Sequence, residues 1–192
     1  MTRRLHIHQK ISPMQNVYRV FADTDGSPGP QIGMVKQKRM ALREQFTVFR
    51  DEGSTQPVMT IKADRRIDIR SAMTVTDATT GQPIGQLRKK AASSLLRSTW
   101  EGEQPGLPVI TGTERSIAIA LLRRLWGFIP VVSAIPVPWV FHFDGTYNDQ
   151  TLLTHTRRWG LRDRYVMDLL VPELDWRLAV ALAIVLDAMQ SR

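Results

Sequence analysis

The chain has 192 residues, of which 43% are hydrophobic and 23% are charged, a composition typical of one globular domain with a full core. It contains no cysteine, which excludes disulfides and thiolate metal sites. It shows no signal-peptide pattern and no run of the ~18 apolar residues that a membrane span requires. We therefore expect a single cytoplasmic domain over residues 1–192.

Three segments in the first hundred residues repeat at a constant step of 26 residues. They begin at Ile32, Val58 and Ile84, and each runs through an apolar stretch to a Lys or Arg. An aspartate and a glycine-containing turn precede each segment at the same step, at Asp25, Asp51 and Asp77. Repetition of this length indicates one supersecondary unit copied along the chain. The unit is interpreted as a strand, an acidic turn and a second strand that ends in a Lys or Arg, which we call the basic exit. The acids are interpreted as forming turns rather than performing catalysis.

The strands of this region alternate apolar and polar residues. Phe46 and Val48 share one face, as do Met73 and Val75, and the run from residue 66 to residue 70 alternates in the same way. This period of two is typical of half-buried strands. Many short strands at even spacing predict a sandwich or a barrel.

The segment from about residue 105 to residue 140 does not follow the repeat and is predicted to be an insertion. Thr113 to Trp126 predicts a helix that Thr113 caps. The apolar stretch from Leu125 to Phe141 is interrupted by three prolines, which exclude a long helix and argue against a central strand. This stretch either plugs one end of the fold or forms an exposed loop that dips into a membrane.

A looser fourth copy of the unit follows the insertion. It predicts a strand and turn over Phe141–Gly145 and a return strand with a basic exit over Leu152–Arg157. Arg164–Leu169 predicts one more strand.

The C-terminal segment, from about residue 173 to residue 190, predicts a helix that is apolar on every side. Asp175 is a suitable N-cap, and Leu178–Leu186 are nine consecutive apolar residues. A helix of this kind must be surrounded completely. Its apolar part is about 14 Å long at 1.5 Å per residue, roughly half the thickness of a bilayer core. Protein should therefore surround it, and strands closed around the helix would bury both.

This arrangement resembles the tubby C-terminal-like superfamily, and within it the LURP-one-related and phospholipid-scramblase-like members. The residues that carry the likeness are Phe46–Lys62, Met73–Trp100, above all Asp77–Gly81, Ile84-Gly85 and Arg88-Lys89-Lys90, and C-terminal Leu174–Ala179 with Leu186–Ala188.

The resemblance implies a mainly β fold, a closed antiparallel barrel of about a dozen strands that encloses the hydrophobic C-terminal helix. The predicted insertion would add one further helix. The resemblance also implies an inclination toward lipid surfaces. The chain lacks the long membrane-spanning helix and the cysteine clusters of animal scramblases, so lipid flipping is not implied.

The charge of the chain is concentrated in the repeats. The net charge is +8, and residues 1–100 hold 17 Lys and Arg against 8 Asp and Glu, whereas residues 101–192 hold 9 against 10. The basic exits and their neighbours form the candidate anion site: Lys36, Lys62, Arg65, Arg66, Arg88, Lys89 and Lys90. If the repeats pack side by side, these cations recur along one rim and can bind phosphate groups. The alternative is that they end strands, oppose edge pairing and pair with the turn acids.

No motif in the sequence predicts catalysis. A nucleophile elbow, a Walker loop, a zincin helix and a dinucleotide fingerprint are all missing, so we expect neither an enzyme nor a cofactor. His6 and His8 share one strand face, but no third residue completes a metal site.

The sequence therefore predicts a non-enzymatic, cytoplasmic module, peripheral to the membrane, that docks on acidic phospholipid headgroups. A nucleic-acid or protein-interaction module that uses the same cations is the alternative.

Overall fold

A computed structural model describes residues 2–11, 15–38, 45–63, 72–90, 99–114, 142–158 and 164–190. Twelve strands and one helix lie in these ranges. They are β1 (Arg3–Ile11), β2 (Gln15–Thr24), β3 (Ser27–Lys38), β4 (Gln45–Phe49), β5 (Pro57–Ala63), β6 (Met73–Asp77), β7 (Pro83–Lys89), β8 (Thr99–Glu103), β9 (Ile110–Glu114), β10 (His142–Tyr147), β11 (Gln150–Arg158), β12 (Arg164–Leu169) and α1 (Trp176–Gln190).

The strands form a closed barrel in which each pairs antiparallel with its neighbours along the chain. β1 closes the barrel because it pairs with β2 on one side and with β12 on the other. Leu5 lies opposite Ala22 of β2, and Arg3 lies opposite Leu169 of β12. The predicted closed antiparallel barrel around a C-terminal helix is confirmed.

The alternating strand direction gives the barrel two different ends. The short connections β2–β3, β4–β5, β6–β7, β8–β9 and β10–β11 all lie at one end, which we call the turn end. The odd-numbered strands finish at the opposite end, which we call the exit end. The strands β3, β5 and β7, which carry the repeated basic exits, therefore all finish at the exit end.

The aspartates that precede the repeated strands were predicted to form turns, and in the second and third copies they do. Asp51 accepts hydrogen bonds from the backbone N–H groups of Thr55 and Gln56 at 3.0 and 2.8 Å, and Asp77 accepts from the residues that follow it. In the first copy the acceptor is Asp23, which binds the Gly26 N–H at 3.0 Å. Asp25 instead adopts a left-handed conformation with φ 51°, as the first residue of a tight hairpin turn requires.

The predicted turn of the fourth copy is wrong. Asp144 and Gly145 lie inside β10, and the turn is formed by Asn148 and Asp149, which have φ values of 46° and 63°. Gly145 is needed for packing rather than for a turn, because a Cβ there would lie 3.1 Å from a methyl carbon of Leu153. The return strand predicted over residues 152–157 is confirmed as part of β11, and β12 lies where predicted.

The predicted start of a helix at Thr113 is also wrong. Thr113 belongs to β9 and lies opposite Thr99 of β8 and Asp144 of β10. Because β9 pairs with β8 on one side and with β10 on the other, Thr113 lies in a strand and does not start the helix that the capping pattern favoured. The rest of that predicted helix and the prolines after it lie outside the described residues, as does the strand predicted at 66–70. Within the described ranges α1 is the only helix.

The helix α1 fills the barrel. Every residue from Leu178 to Leu186 is buried, and Ala181 and Val185 are 0% and 1% exposed. Gly85 of β7 packs against the helix, since a Cβ there would lie 3.0 Å from a methyl carbon of Leu178. The predicted burial of the C-terminal helix by inward-facing side chains is confirmed.

The first turn of α1 is fastened to the turn end. Asp175 caps the helix as predicted, since its carboxylate accepts a 2.8 Å hydrogen bond from the Arg177 backbone N–H. The Arg177 guanidinium bonds the same carboxylate at 2.8 Å and Asp77 of the β6–β7 turn at 2.5 Å. The bond from Arg177, together with the N–H groups of Thr80 and Thr79, holds the pKa of Asp77 at about 2. One ion pair thus connects the wall to the helix.

Replacing Asp77 with Asn should lower the free energy of unfolding at neutral pH, because it removes the ionised partner of Arg177. The pKa of Asp77 lies below its ordinary value of 3.8. Its contribution to stability is therefore present above about pH 4 and is lost as the pH falls toward about 2. Urea unfolding at a series of pH values should show a weaker acid dependence in Asp77→Asn than in the wild type. Asp25→Asn is the control, and equal acid dependence in wild type and Asp77→Asn would contradict the prediction.

Two glycines of the inner wall should respond in opposite ways to an added methyl group. A Cβ at Gly112 would lie 2.2 Å from the buried ring of Phe143, so Gly112→Ala should cost about 1–3 kcal/mol by overpacking. A Cβ at Gly102 would lie 3.7 Å from Leu87, beside an apolar cavity of about 20 Å³. Gly102→Ala should therefore be neutral or stabilising by less than about 1 kcal/mol. Equilibrium denaturation measures both, and equal losses would show that the inner wall is packed differently.

Candidate anion-binding end of the barrel

The two ends of the barrel carry opposite charges. The turn end presents acids from its turns and from the start of the helix: Asp25, Asp51, Glu52, Asp77, Asp149, Glu173 and Asp175. The exit end presents cations where β1, β5, β7 and β11 finish and where β12 begins. We call the exposed ones the cationic collar: Lys10, Lys62, Arg88, Lys90, Arg158 and Arg164.

The collar side chains point outward because of strand alternation. Met59 and Ile61 belong to the core around the helix, so Lys62 lies on the outer face of β5. Leu87 faces the core in the same way, which places Arg88 on the outer face of β7. Among the residues that the structure describes, neither Lys62 nor Arg88 forms an ion pair. Both are therefore available to an external anion.

Lys36 does not join the collar. It is exposed, but its Nζ donates a 3.0 Å hydrogen bond to the backbone carbonyl of Glu52. The carboxylate of Glu52 accepts from Arg19 Nε at 2.7 Å. The hydrogen bond from Arg19, with a smaller contribution from Lys36, lowers the pKa of Glu52. Lys36 thus has a hydrogen-bond partner in the β4–β5 turn, and its charge lies near the Glu52 carboxylate.

The other predicted cations fall into three groups. Lys90 is exposed and its Nζ lies 2.5 Å from Glu101 Oε1 of β8. Lys89 is half-buried and lies opposite the buried Trp100, so it is not an outer-face residue. Arg65 and Arg66 lie outside the described residues. The structure therefore places Lys62, Arg88 and Lys90 together on one flank and leaves Lys36 apart.

Three collar residues were not predicted from the sequence: Lys10, Arg158 and Arg164. Arg158 follows the basic exit of the fourth copy, which was a usable signal. Lys10 and Arg164 flank no repeated strand, and they join the collar only because β1 pairs with β12.

A second functional feature missed by the sequence analysis is a carboxylate inside the exit end. Asp187 of α1 accepts hydrogen bonds from the hydroxyls of Tyr18 and Tyr165 at 2.5 and 3.0 Å and from Gln9 Nε2 at 2.8 Å. Burial, and then the charge of Asp187, raise the pKa of Tyr18, so this tyrosine stays protonated and donates. The three donors stabilise an acid in the last helical turn, where the helix dipole disfavours negative charge.

This cluster fixes the C-terminal part of the helix and fills the interior of the exit end. In the described part of the chain no group of three or more His, Cys, Asp and Glu could hold a metal ion. The Nε2 atom of His6 lies 2.6 Å from Asp23 Oδ1. One histidine of the candidate pair therefore already has a side-chain partner.

The family relationship agrees with this architecture. The family model for LURP-one-related proteins matches residues 32–187, from within β3 to the Asp187 carboxylate. The chain therefore belongs to the LURP-one-related family, and the resemblance seen in the sequence is confirmed. No curated protein matches the chain with significance. In the described ranges, no helix combines the length and the apolarity that crossing a bilayer requires.

Removing one hydroxyl from the Asp187 cluster should destabilise the fold. Tyr18→Phe takes a hydrogen-bond donor from the half-buried Asp187 carboxylate, at a cost of about 1–3 kcal/mol. Combining it with Asp187→Asn should cost less than the sum of the single changes, because the two residues form one network. A double-mutant cycle by chemical denaturation measures the coupling. Strict additivity would mean that the Tyr18–Asp187 hydrogen bond contributes nothing.

Proposed function

We propose that the protein is a non-enzymatic module that docks through its exit end on acidic phospholipid headgroups at the cytoplasmic face of the membrane. The observation that carries this proposal is the separation of charge along the barrel axis. Cations outnumber acids at the exit end, and acids outnumber cations at the turn end. An anionic plane attracts the first end and repels the second, so the electrostatic field also sets the orientation of docking.

The arrangement of the collar around the barrel supports a membrane rather than a nucleic acid as the partner. Lys62 and Arg88 lie on β5 and β7, whereas Arg158 and Arg164 lie on β11 and β12, on the opposite flank. A flat lipid surface can contact both flanks at once. A DNA duplex is a convex cylinder and would contact only one flank. Half of the collar would then have no contact with it.

The collar suits weak and reversible attachment. Each Lys or Arg near an acidic membrane contributes about 1 kcal/mol, and arginine binds phosphate oxygens through two parallel N–H groups. The contributions depend on salt because the side chains are exposed. At the turn end, Asp51 and Asp77 accept hydrogen bonds from turn N–H groups, and Asp77 and Asp175 form ion pairs with Arg177. These features support binding without catalysis.

Neutralising one flank of the collar should weaken membrane binding more than the same charge change elsewhere. Lys62→Gln with Arg88→Gln removes about 2 kcal/mol of attraction, which corresponds to a roughly 30-fold loss of partitioning. The matched control is Arg3→Gln with Arg50→Gln, which removes two exposed cations at the turn end. Co-sedimentation with vesicles that contain phosphatidylglycerol, beside neutral phosphatidylcholine vesicles, measures the difference.

Three outcomes would contradict the proposal. Recovery on acidic vesicles equal to that on neutral ones at low salt excludes lipid docking. Equal losses in the collar variant and in its control would mean that net charge acts without a defined surface. Salt-sensitive retention of a random DNA duplex without vesicle binding would instead support a nucleic-acid partner.

A further inference from the structure

The outer face of the barrel carries a run of basic side chains across four neighbouring strands. The register places Arg158 of β11 opposite Arg164 of β12, Arg164 opposite His8 of β1, and His8 opposite Arg19 of β2. All four positions lie on the outer face by alternation, because Tyr165 and Ile7 between them face the core. Directly opposite side chains have Cβ atoms about 4.5–5.5 Å apart. The run therefore forms one continuous group.

Like charges at directly opposite positions destabilise a sheet, and the same strands avoid them elsewhere. Four residues along β1 from His8, Arg4 lies opposite Asp168 of β12, and the two form an ion pair at 2.6 Å. On the other flank Arg88 lies opposite Glu101. The pair of Arg158 and Arg164 is exposed and, within the described residues, has no carboxylate partner. This position therefore differs from the two directly opposite charged pairs just described, in which the charges have opposite signs.

We propose that Arg158, Arg164 and His8 form a binding site for a phosphomonoester group. Two guanidinium groups at this spacing can each present parallel N–H donors to one phosphate. The imidazole of His8 adds a third donor beside them. The site goes beyond the proposed docking, which needs only exposed charge, and the two can fail separately.

The charge of the site fits a dianion. A phosphomonoester carries nearly two negative charges at neutral pH and three strong acceptor oxygens, whereas the phosphodiester of a simple headgroup carries one charge. Two arginines match the dianion without help, and a protonated His8 strengthens the contact. The ligand can be a lipid headgroup that ends in a phosphate or a free phosphomonoester, since both present the same group.

His8 gives the site a titratable reporter. Its pKa is lowered by burial first, and then by the charges of Arg164 and His6, so His8 is neutral in the free protein at pH 7. The groups that face it are His6 and Lys10 on its own strand, Arg164 on β12, and Arg19 and the Phe21 ring on β2. The carboxylates of Asp23 and Glu52 are held by His6 and Arg19. A bound phosphate would therefore raise the pKa of His8.

The test uses the imidazole signals of the full chain, which has four histidines. Inorganic phosphate is titrated at constant ionic strength, and the His8 ring shifts are followed by NMR from pH 5 to pH 8. We expect saturable binding and an upward move of the His8 pKa, with His142 unaffected. Arg164→Gln should weaken phosphate binding by about tenfold or more. Arg50→Gln, which removes a cation at the turn end, should leave the His8 response unchanged.

The lipid source is distinguished from free phosphate by vesicles. Preference for phosphatidic acid over phosphatidylglycerol at equal surface charge, lost in Arg164→Gln, would assign the site to a lipid headgroup. Phosphate binding without that preference would assign it to a soluble phosphomonoester. A His8 pKa that phosphate does not move would overturn the site, even if acidic vesicles still recruit the protein. Vesicle binding that fails while phosphate moves His8 would instead overturn the docking and leave the site intact.

Discussion

The helix α1 is the constraint on which the rest of the structure depends. Its nine consecutive apolar residues leave no face that can meet water, so a single sheet packed on one side could not stabilise it. A closed barrel solves this problem because every direction around the helix is then occupied by inward-facing side chains. Charged groups at both ends, Arg177 at the start and Asp187 near the end, fix how far the helix extends along the barrel.

The separation of charge follows from the way in which such a wall is built. Tight turns between antiparallel strands favour Asp and Gly, and these turns all lie at one end. The repeated strands carry a Lys or Arg near their ends, and antiparallel alternation makes all of these strands finish at the other end. A barrel made by repeating one hairpin unit therefore acquires an acidic end and a basic end without a separate binding domain. We infer that a scaffold of this kind is easily adapted to anionic surfaces.

The sequence predicted what depends on local periodicity. The step of 26 residues located β3, β5, β7 and their turns, and the apolar run located the enclosed helix. It failed where one residue type has two uses. Gly145 followed an acid as in the other copies, but it serves close packing against Leu153. Prediction from the sequence also failed where the proposed site depends on closure, since no spacing shows that His8 and Arg164 become neighbours when the first strand meets the last.

Strand β1 gives the chain a folding boundary that differs from its family boundary. The family match begins at Ile32, yet β1 and β2 supply the closing strand, Gln9 and Tyr18. A fragment trimmed to the match would leave β3 and β12 with unpaired edges, would expose one side of the helix, and would leave Asp187 with Tyr165 as its remaining hydroxyl donor. Exposed edges and apolar surface of this kind promote aggregation. The first thirty residues are therefore needed to close the barrel and to keep water away from the helix.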